Sequence, residues 1–247
     1  MVKIGIAGVC GKMGKRIASL AAKDPEVEII GALERSDAPE AGEKLGSIIG
    51  AEEVNAAVTT NPASACEGID CLIDFTLPEP TLEHIEVCKA KKVPMVIGTT
   101  GLTEEGEAKI RDASGVIPIV FSPNMAIGVN VLFDIVREAS RILGKDFGVK
   151  VDETHHVHKK DSPSGTAKMI GKVIKEASDV DADIEAFREG EVIGNHGIIF
   201  DGEYETLEIR HDAKSRDVFA AGAIEAAKFV KDKPAGLYNM ADVLGLK

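Results

Sequence analysis

The sequence predicts an α/β fold in which a doubly wound parallel sheet is combined with a smaller α+β domain. Over the first 120 residues, short apolar runs alternate with helical patterns, which indicates βαβ units and a parallel sheet. A glycine-rich turn directly follows the first apolar run. After about Asn124 the pattern changes to longer helices and short strands with polar turns, so we expect a second domain there.

Each predicted element of the first domain is an apolar or amphipathic segment bounded by turn residues. The predicted strands are residues 2–7, 27–33, 71–75, 94–97 and 117–121, and the predicted helices are residues 15–22, 82–91 and 104–113. In such a sheet, ligands bind at the carboxyl ends of the strands.

The rest of the chain predicts a mixture of helices and strands. A helix is expected over residues 129–143, a strand over 148–153 and a second helix over 164–177. Residues 184–211 predict short antiparallel strands joined by the polar turns GNHG and FDGEYE. From about Arg216 the pattern returns to helix and is then broken by a Pro-Ala-Gly sequence.

The composition restricts the kinds of partner. The formal net charge is −12, and phosphate binding requires a basic surface, so we expect no nucleic acid partner. No stretch approaches the roughly 20 apolar residues of a membrane span, so we expect no membrane association. The four cysteines are scattered, which is typical of reduced thiols in a cytoplasmic protein.

Gly8, Gly11 and Gly14 form a G-x-x-G-x-x-G turn between the first strand and a helical pattern. Glycines allow a tight turn and let backbone N–H groups approach a pyrophosphate, whose charge the helix N-terminus favours. The spacing differs from the more common G-x-G-x-x-G, and tight turns also use glycine for structural reasons alone. Its place after the first strand nevertheless favours a dinucleotide site of the Rossmann type.

The second strand ends in Glu34 and Arg35. An acidic residue at this point can accept hydrogen bonds from the adenosine ribose 2′-OH, which favours NADH. Arg35 can instead pair with a 2′-phosphate, which favours NADPH. The two residues together predict that either cofactor is accepted, and the alternative is an ordinary solvated ion pair.

Two further turns follow predicted strands and are candidates for the nicotinamide side of the site. Both lie where strand ends meet the binding crevice, although similar turns occur wherever strands end. They consist of Gly98, Thr99 and Thr100, and of Ser122, Pro123, Asn124 and Met125.

A basic cluster lies between residues 155 and 160, where three histidines and two lysines occur in an otherwise acidic chain. Such a cluster attracts a dianionic substrate. If the segment continues as a strand, alternation places His155 and Lys159 on one face and His156 and His158 on the other. A histidine and a lysine on one face can supply protons to a substrate.

A predicted helix follows this cluster. Ser164 is a good N-cap, and Ile170, Val173 and Ile174 form an apolar stripe, so the N–H groups of Gly165 and Thr166 would suit a carboxylate. Two alternatives remain. The cluster can be a solvated loop before a capped helix, or His156 and His158 can bind a metal. No further ligand completes a metal set nearby, so we expect no metal.

The segment ETHHVHKKDSPSGTA resembles the E-x-HH-x-HK-x-D-x-PSGTA pattern of the 4-hydroxy-tetrahydrodipicolinate (dihydrodipicolinate) reductase family. The resemblance extends along nearly the whole chain. In order, it also includes GVCGKMG, ALER, CLIDFT, VIGTTG, SPNMAIGVN, ETLEIRHDAKSRDVFAAGA and GLYNMADVL.

The resemblance implies an NADH- or NADPH-dependent reductase of a small dicarboxylate, acting in lysine and diaminopimelate biosynthesis. It implies that His155 is the catalytic histidine and that Lys159 is the proton donor. The substrate contacts would be His156, Ser164, Gly165 and Thr166. The implied cofactor contacts are Gly8, Val9, Cys10, Gly11, Lys12 and Met13 at the pyrophosphate, Glu34 and Arg35 at the ribose, and the turns 98–100 and 122–125 at the nicotinamide.

The resemblance also implies the architecture. We expect residues 1–126 and 216–247 to form the dinucleotide-binding domain, and residues 127–215 to form an inserted substrate-binding and tetramerisation domain. Family members usually form homotetramers through the sheet of that domain. This chain departs from many members in the short stretch before Ile184. Another nicotinamide oxidoreductase and a non-catalytic dinucleotide sensor are the alternative functions.

Overall fold

The computed structural model describes residues 1–246 and contains two compact units. The first consists of Met1–Met125 and Phe219–Gly245, and Ala126–Val218 forms the second. The predicted combination of a doubly wound parallel sheet with an inserted α+β unit is confirmed. The assignment of dinucleotide binding to one unit and substrate binding to the other stays a prediction.

The elements are numbered in chain order. The strands are β1 (Val2–Ala7), β2 (Val27–Leu33), β3 (Val58–Thr59), β4 (Cys71–Asp74), β5 (Met95–Ile97), β6 (Pro118–Phe121), β7 (Gly148–His155), β8 (Asp183–Arg188), β9 (Asn195–Asp201), β10 (Thr206–Asp212) and β11 (Gly236–Tyr238). The α-helices are α1 (Lys12–Ala21), α2 (Leu45–Ile49), α3 (Pro62–Ala65), α4 (Pro78–Lys91), α5 (Glu104–Ser114), α6 (Ile127–Leu143), α7 (Gly165–Ser178), α8 (Asp217–Val230) and α9 (Met240–Leu244). Within residues 1–246, none of these helices is both long and apolar enough to cross a bilayer.

The first unit contains a parallel sheet with the strand order β11-β6-β5-β4-β1-β2-β3. Its central strands are nearly continuous apolar runs because helices cover both faces of such a sheet. Ile4, Ile6, Leu72 and Val96 are fully buried. The chain order reverses between β1 and β4, and a crevice for ligands is expected at the carboxyl ends of these two strands.

The second unit is a mixed sheet with the order β10-β9-β7-β8, and α6 and α7 pack on one of its faces. Because side chains alternate along a strand, Val151, Ile198 and Phe200 point into the core between sheet and helices. The residues that alternate with these along each strand point away from the helices. This opposite side is called the outward face and includes Lys150, Asp152, Thr154, Glu185, Phe187 and Ile199.

Three details differ from the sequence-based expectations. Strand β8 runs parallel to β7, whereas an antiparallel arrangement was expected, because α7 connects the two strands as a crossover helix. The GNHG segment enters β9 rather than forming a turn, since His196 shares the inward face with Ile198 and Phe200. The chain after the Pro-Ala-Gly break adds β11 beside β6 at the edge of the parallel sheet.

Candidate functional site

The glycine turn after β1 has a geometry that other residues do not accommodate. Gly8 has a φ of +71°, and its N–H donates to the carbonyl of Leu33 at 2.9 Å. A Cβ atom on Gly14 would lie 2.0 Å from the carbonyl oxygen of Gly8. The first turn of α1 therefore packs directly on the end of β1, and this contact fixes the loop between them.

The start of α1 suits a pyrophosphate. Gly11 is the N-cap residue, and no side chain of residues 1–246 caps the helix. The N–H groups of Lys12 and Met13 lie in the first helical turn, where no carbonyl of the same helix can accept from them. The Val9 N–H already donates to the Leu33 carbonyl at 3.2 Å, and the Val9 side chain is fully buried. Within the loop, Lys12 and Met13 are thus the strongest candidates for phosphate contacts.

Glu34 lies at the end of β2 and contacts the glycine turn. Its Oε1 accepts from the Cys10 N–H at 2.7 Å, and its Oε2 accepts from the Arg35 N–H at 3.1 Å. Burial, together with the negative charges of Glu34 and Glu40, raises the pKa of the Cys10 thiol to about 11. Cys10 is therefore a neutral thiol at physiological pH and contributes its backbone rather than a thiolate.

These residues line a cleft of about 760 Å³ in the first unit. The structure brings Gly8, Cys10 and Gly11 together with Glu34 and Arg35 in the lining of this cleft. The Arg35 Nε lies 3.2 Å from Asp37 Oδ1, and both side chains are largely exposed. A guanidinium in this position is able to turn toward a bound ligand, and the volume falls within the range of small-molecule sites. The residues thus fit the adenosine half of a dinucleotide.

Asp74, at the carboxyl end of β4, organises the neighbouring strand ends and was not identified from the sequence. Its carboxylate is fully buried and accepts from the hydroxyls of Thr76, Thr81 and Thr99 at 2.6–3.2 Å. Its other oxygen lies 2.6 Å from Nδ1 of His84, which also lines the cleft. The predicted cofactor residue Thr99 is thereby tied to β4 through this carboxylate.

The other residues predicted for the nicotinamide side are placed at strand ends, as expected. Gly98 packs under the ring of Phe75, which a Cβ atom on Gly98 would meet at 2.2 Å. Thr100 is exposed, whereas Met125 is buried. In the turn after β6, the Ser122 hydroxyl donates to the Asn124 carbonyl at 2.9 Å, and Pro123 lies between them. Contacts of these turns with a nicotinamide stay predictions.

In the second unit, β7 ends at His155, and residues 156–164 form the loop that leads to α7. The expected alternation of faces along residues 155–159 is therefore wrong, because the strand does not continue past His155. Lys159 instead projects from the loop, and its Nζ lies 2.9 Å from Asp161 Oδ1. His158 is exposed, and the rings of His156 and His158 lie 6.2 Å apart.

The N-terminus of α7 lies next to this lysine. Ser164 is the N-cap, as predicted, and its hydroxyl accepts from the Ala167 N–H at 3.1 Å. The pKa of the Asp161 carboxyl lies below its usual value, chiefly because Lys159 hydrogen-bonds to it, with the N–H groups of Asp161 and Gly165 contributing. A carboxylate is thus held between the Lys159 ammonium and the first N–H of α7. Thr166 follows in the same turn.

His155 is buried among residues from two other strands. Its Nδ1 contacts Glu153 Oε2, and its ring meets His196 edge-on at a centroid distance of 5.3 Å. The pKa of His155 is lowered by burial, which the carboxylate of Glu153 partly opposes. Burial also lowers the pKa of His196 to about 4, so this imidazole is neutral at physiological pH. Neither ring nitrogen of His196 has a hydrogen-bond partner among the described residues.

Glu153, His155 and His196 each offer a potential ligand atom, and these atoms lie within 4.8 Å of one another. However, the Glu153 carboxylate already contacts His155 through one oxygen and Arg188 through the other. A guanidinium and an imidazole N–H account for its buried charge without a metal ion. We therefore interpret the group as a hydrogen-bonded pair with an adjacent histidine, and the expectation of no metal stays a prediction.

Several residues of this cluster were missed from the sequence because they are distant along the chain. Arg188 and His196 lie on β8 and β9, and the sheet register places them opposite His155 and Glu153. His211, on β10, lies opposite His196. The signal that was available is the alternation that places His211 with Leu207 and Ile209 along β10, whereas the segment around His196 resembles a polar turn.

Comparison with known proteins agrees with these features. The family described as "Dihydrodipicolinate reductase, N-terminus" matches residues 2–125, and "Dihydrodipicolinate reductase, C-terminus" matches residues 128–244. The 4-hydroxy-tetrahydrodipicolinate reductase of Anaeromyxobacter dehalogenans (strain 2CP-1) is 41% identical over 100% of this chain and 99% of its own length. That of Trichlorobacter lovleyi is also 41% identical, with 100% of both chains covered.

A solved structure of dihydrodipicolinate reductase from Paenisporosarcina sp. TG-14, with dipicolinate bound, superposes with a TM-score of 0.81 at 24% identity. The superposition covers 98% of both chains and shows that the fold is shared. Since both family halves match in order and together span nearly the whole chain, this chain belongs to the dihydrodipicolinate reductase family.

Proposed function

We propose that this chain uses NADH or NADPH to reduce the cyclic imine dicarboxylate derived from 4-hydroxy-tetrahydrodipicolinate, which yields tetrahydrodipicolinate for lysine and diaminopimelate biosynthesis. Family membership and the names of the full-length relatives support this reaction. Within the chain, the observation that carries the proposal is the carboxylate of Asp161, held between Lys159 and the N-terminus of α7. A site that holds one carboxylate in this way suits a dicarboxylate substrate.

The residues of the second unit bind the substrate and supply the proton. Reduced nicotinamide, when bound, supplies a hydride to C4 of the substrate ring. Lys159 then delivers a proton to the ring-nitrogen side, where negative charge accumulates, and His155 supports this transfer. His156 contacts the substrate, and Ser164, Gly165 and Thr166 bind one of its carboxylates at the start of α7.

The residues of the first unit bind the cofactor. The turn from Gly8 to Met13 holds the pyrophosphate, with Lys12 and Met13 contributing N–H groups at the start of α1. Glu34 and Arg35 bind the adenosine ribose. The turns 98–100 and 122–125 line the nicotinamide, and the Asp74 network keeps Thr99 in place.

Substitutions of Glu34 and Arg35 should change the KM values for NADH and NADPH to different extents. We expect Glu34→Gln to raise the KM for NADH by about 10-fold, because a hydrogen bond to a charged group contributes about 1.5 kcal/mol. The KM for NADPH should change less, since a 2′-phosphate replaces the hydroxyl that Glu34 accepts from. Arg35→Gln should instead raise the KM for NADPH more than the KM for NADH. Steady-state kinetics with each cofactor measure both effects.

Asp37→Asn is the control for these variants, because Asp37 contacts Arg35 but has no proposed contact with the ribose. It should leave both KM values within about twofold, since exposed ion pairs contribute little. Equal effects of Glu34→Gln on the two cofactors would contradict the proposed role of Glu34.

We propose that the protein is a homotetramer assembled through the outward face of the β7–β10 sheet. On this face Phe187 is 48% exposed and Ile199 is half-buried, and no helix covers either side chain among the described residues. We expect light scattering to give four times the mass of one chain. Phe187→Asp should lower that mass, whereas Val116→Asp, at a site of 52% exposure in the first unit, should not. An unchanged mass for Phe187→Asp would contradict this interface.

We propose that the protein binds a small dicarboxylate as its partner and is located in the cytoplasm. The strongly negative net charge disfavours nucleic acid and anionic membrane surfaces. The four free thiols are compatible with a reducing compartment.

Thermal unfolding with and without ligands tests whether the chain binds its substrate class. Pyridine-2,6-dicarboxylate, a planar mimic of the substrate, should raise the unfolding temperature of the wild-type protein, because a ligand that binds the folded state stabilises it. The shift should be lost in Lys159→Met. A protein that responds to NADH but not to the dicarboxylate would instead act as a dinucleotide sensor.

A further inference from the structure

We propose that Glu153 is a positioning residue that fixes His155 with Nδ1–H toward its own carboxylate and Nε2 toward the substrate, and that it anchors the loop carrying Lys159. This inference rests on the proposed catalytic role of His155. It assigns a function to a buried carboxylate that does not itself touch the substrate.

The contact between the two side chains is the first observation. Glu153 is fully buried on the inward face of β7, and its Oε2 contacts Nδ1 of His155, two residues further along the strand. Residues two apart on a strand point to the same face, so this contact is built into the local geometry. Burial alone would raise the pKa of Glu153, but the N–H and hydroxyl of Ser164, the neighbouring His155 imidazole and the Arg188 guanidinium together lower it. The carboxylate is therefore ionised and acts as an acceptor.

An ionised acceptor determines the tautomer of a neutral imidazole. Because an ionised carboxylate can only accept, the contact between Oε2 and Nδ1 places the proton of a neutral His155 on Nδ1 and leaves the lone pair on Nε2. A Cβ atom on Gly194 would lie only 3.0 Å from Nε2. A side chain at position 194 would therefore crowd this nitrogen.

The second oxygen of Glu153 links the imidazole to the rest of the predicted site. Oε1 accepts from the Ser164 N–H at 3.0 Å and from Nη1 and Nη2 of Arg188, each at 3.2 Å. Arg188 Nη2 also donates to the carbonyl of Asp161 at 2.5 Å. One carboxylate thus connects the end of β7 with the loop of Lys159 and with the cap of α7.

The surroundings of His155 indicate that this carboxylate is the dominant polar partner of the ring. The charged or titratable groups facing His155 are Glu153 on its own strand, Lys159 in the loop, Arg188 on β8 and His196 on β9. Lys159 and Arg188 are cations that disfavour protonation of the ring, and His196 is neutral. Glu153 is therefore the group among them that attracts a ring N–H.

The test is the replacement Glu153→Gln, read out by ¹⁵N NMR of the histidine side chains and by steady-state kinetics. At pH 8, the wild-type spectrum should show His155, assigned with a His155→Asn variant, as the Nδ1–H tautomer. In Glu153→Gln a substantial fraction should become the Nε2–H tautomer. We expect kcat to fall by roughly 10- to 100-fold while the KM for NADH stays within about twofold.

Glu138→Gln is the matched control, because Glu138 is a carboxylate of the same unit that also pairs with an arginine, Arg141, but on the exposed side of α6. Neither the His155 tautomer nor kcat should change in it. Should Glu153→Gln fail to fold because Arg188 is left unpaired, the double variant Glu153→Gln/Arg188→Gln removes both charges, and the same NMR measurement applies.

The same tautomer in wild type and variant, or an Nε2–H tautomer in the wild type, would overturn the proposal. This outcome is distinguishable from failure of the proposed function. A wild-type protein that does not oxidise NADH with the dicarboxylate substrate would refute the reaction, whereas the tautomer of His155 would still report whether Glu153 orients it.

Discussion

Replacing Lys159 by methionine lowers kcat by about 100-fold or more, because the substrate loses the group that delivers a proton as negative charge develops. His155→Asn should have an effect of similar size. Binding of NADH should remain, since the glycine turn and Glu34 lie in the other unit. Steady-state kinetics with saturating cofactor measure kcat, and fluorescence titration measures NADH binding separately.

Lys160→Met is the matched control for Lys159→Met. Lys160 is the next residue of the loop and is exposed, and the same substitution removes the same ammonium charge. Its kcat should stay within about threefold of the wild-type value. Near-normal turnover in both Lys159→Met and His155→Asn would refute the assignment of the proton donor and its partner.

Gly14→Ala should impair cofactor binding and stability together. The added Cβ would lie 2.0 Å from the Gly8 carbonyl oxygen and 2.6 Å from the Val9 Cα, so α1 must move away from the end of β1. We expect a loss of about 2 kcal/mol in the free energy of unfolding, as for other overpacked sites. Displaced N–H groups at the pyrophosphate should raise the Kd for NADH by roughly 100-fold, or about 3 kcal/mol.

Calorimetric titration with NADH and thermal unfolding check these effects. Gly148→Ala is the control, because a Cβ atom at that position would meet its nearest neighbour at 3.8 Å, an ordinary contact distance. It should bind NADH as tightly as the wild-type protein. Wild-type affinity in Gly14→Ala would mean that the turn does not hold the pyrophosphate.

Features that depend on local sequence were predictable. The bounds of β1 and β2 agree with the apolar runs, because a strand covered on both faces is apolar throughout. Ser164 caps α7 as its residue type suggests, since a hydroxyl at this position accepts from the first helical turn. The glycine turn between β1 and α1 was also recognisable from the local sequence, because its conformation requires glycines at a fixed spacing.

Features that depend on pairing between distant strands were not predictable from one sequence. His196 lies opposite Glu153 because β9 pairs with β7, and the segment around it resembles a polar turn when it is read alone. Arg188 reaches Glu153 because α7 returns the chain parallel to β7. The network around Asp74 likewise joins side chains from β4, α4 and the end of β5, which no local pattern connects.

The measurement that tests the central claim most directly is a coupled assay with freshly prepared substrate. The preceding synthase generates the substrate from pyruvate and aspartate semialdehyde, and the absorbance of the reduced nicotinamide is followed with NADH and NADPH separately. We predict rapid oxidation that depends on the substrate, and its loss in Lys159→Met. A folded protein that binds the cofactor but oxidises neither NADH nor NADPH under these conditions would contradict the proposed reaction.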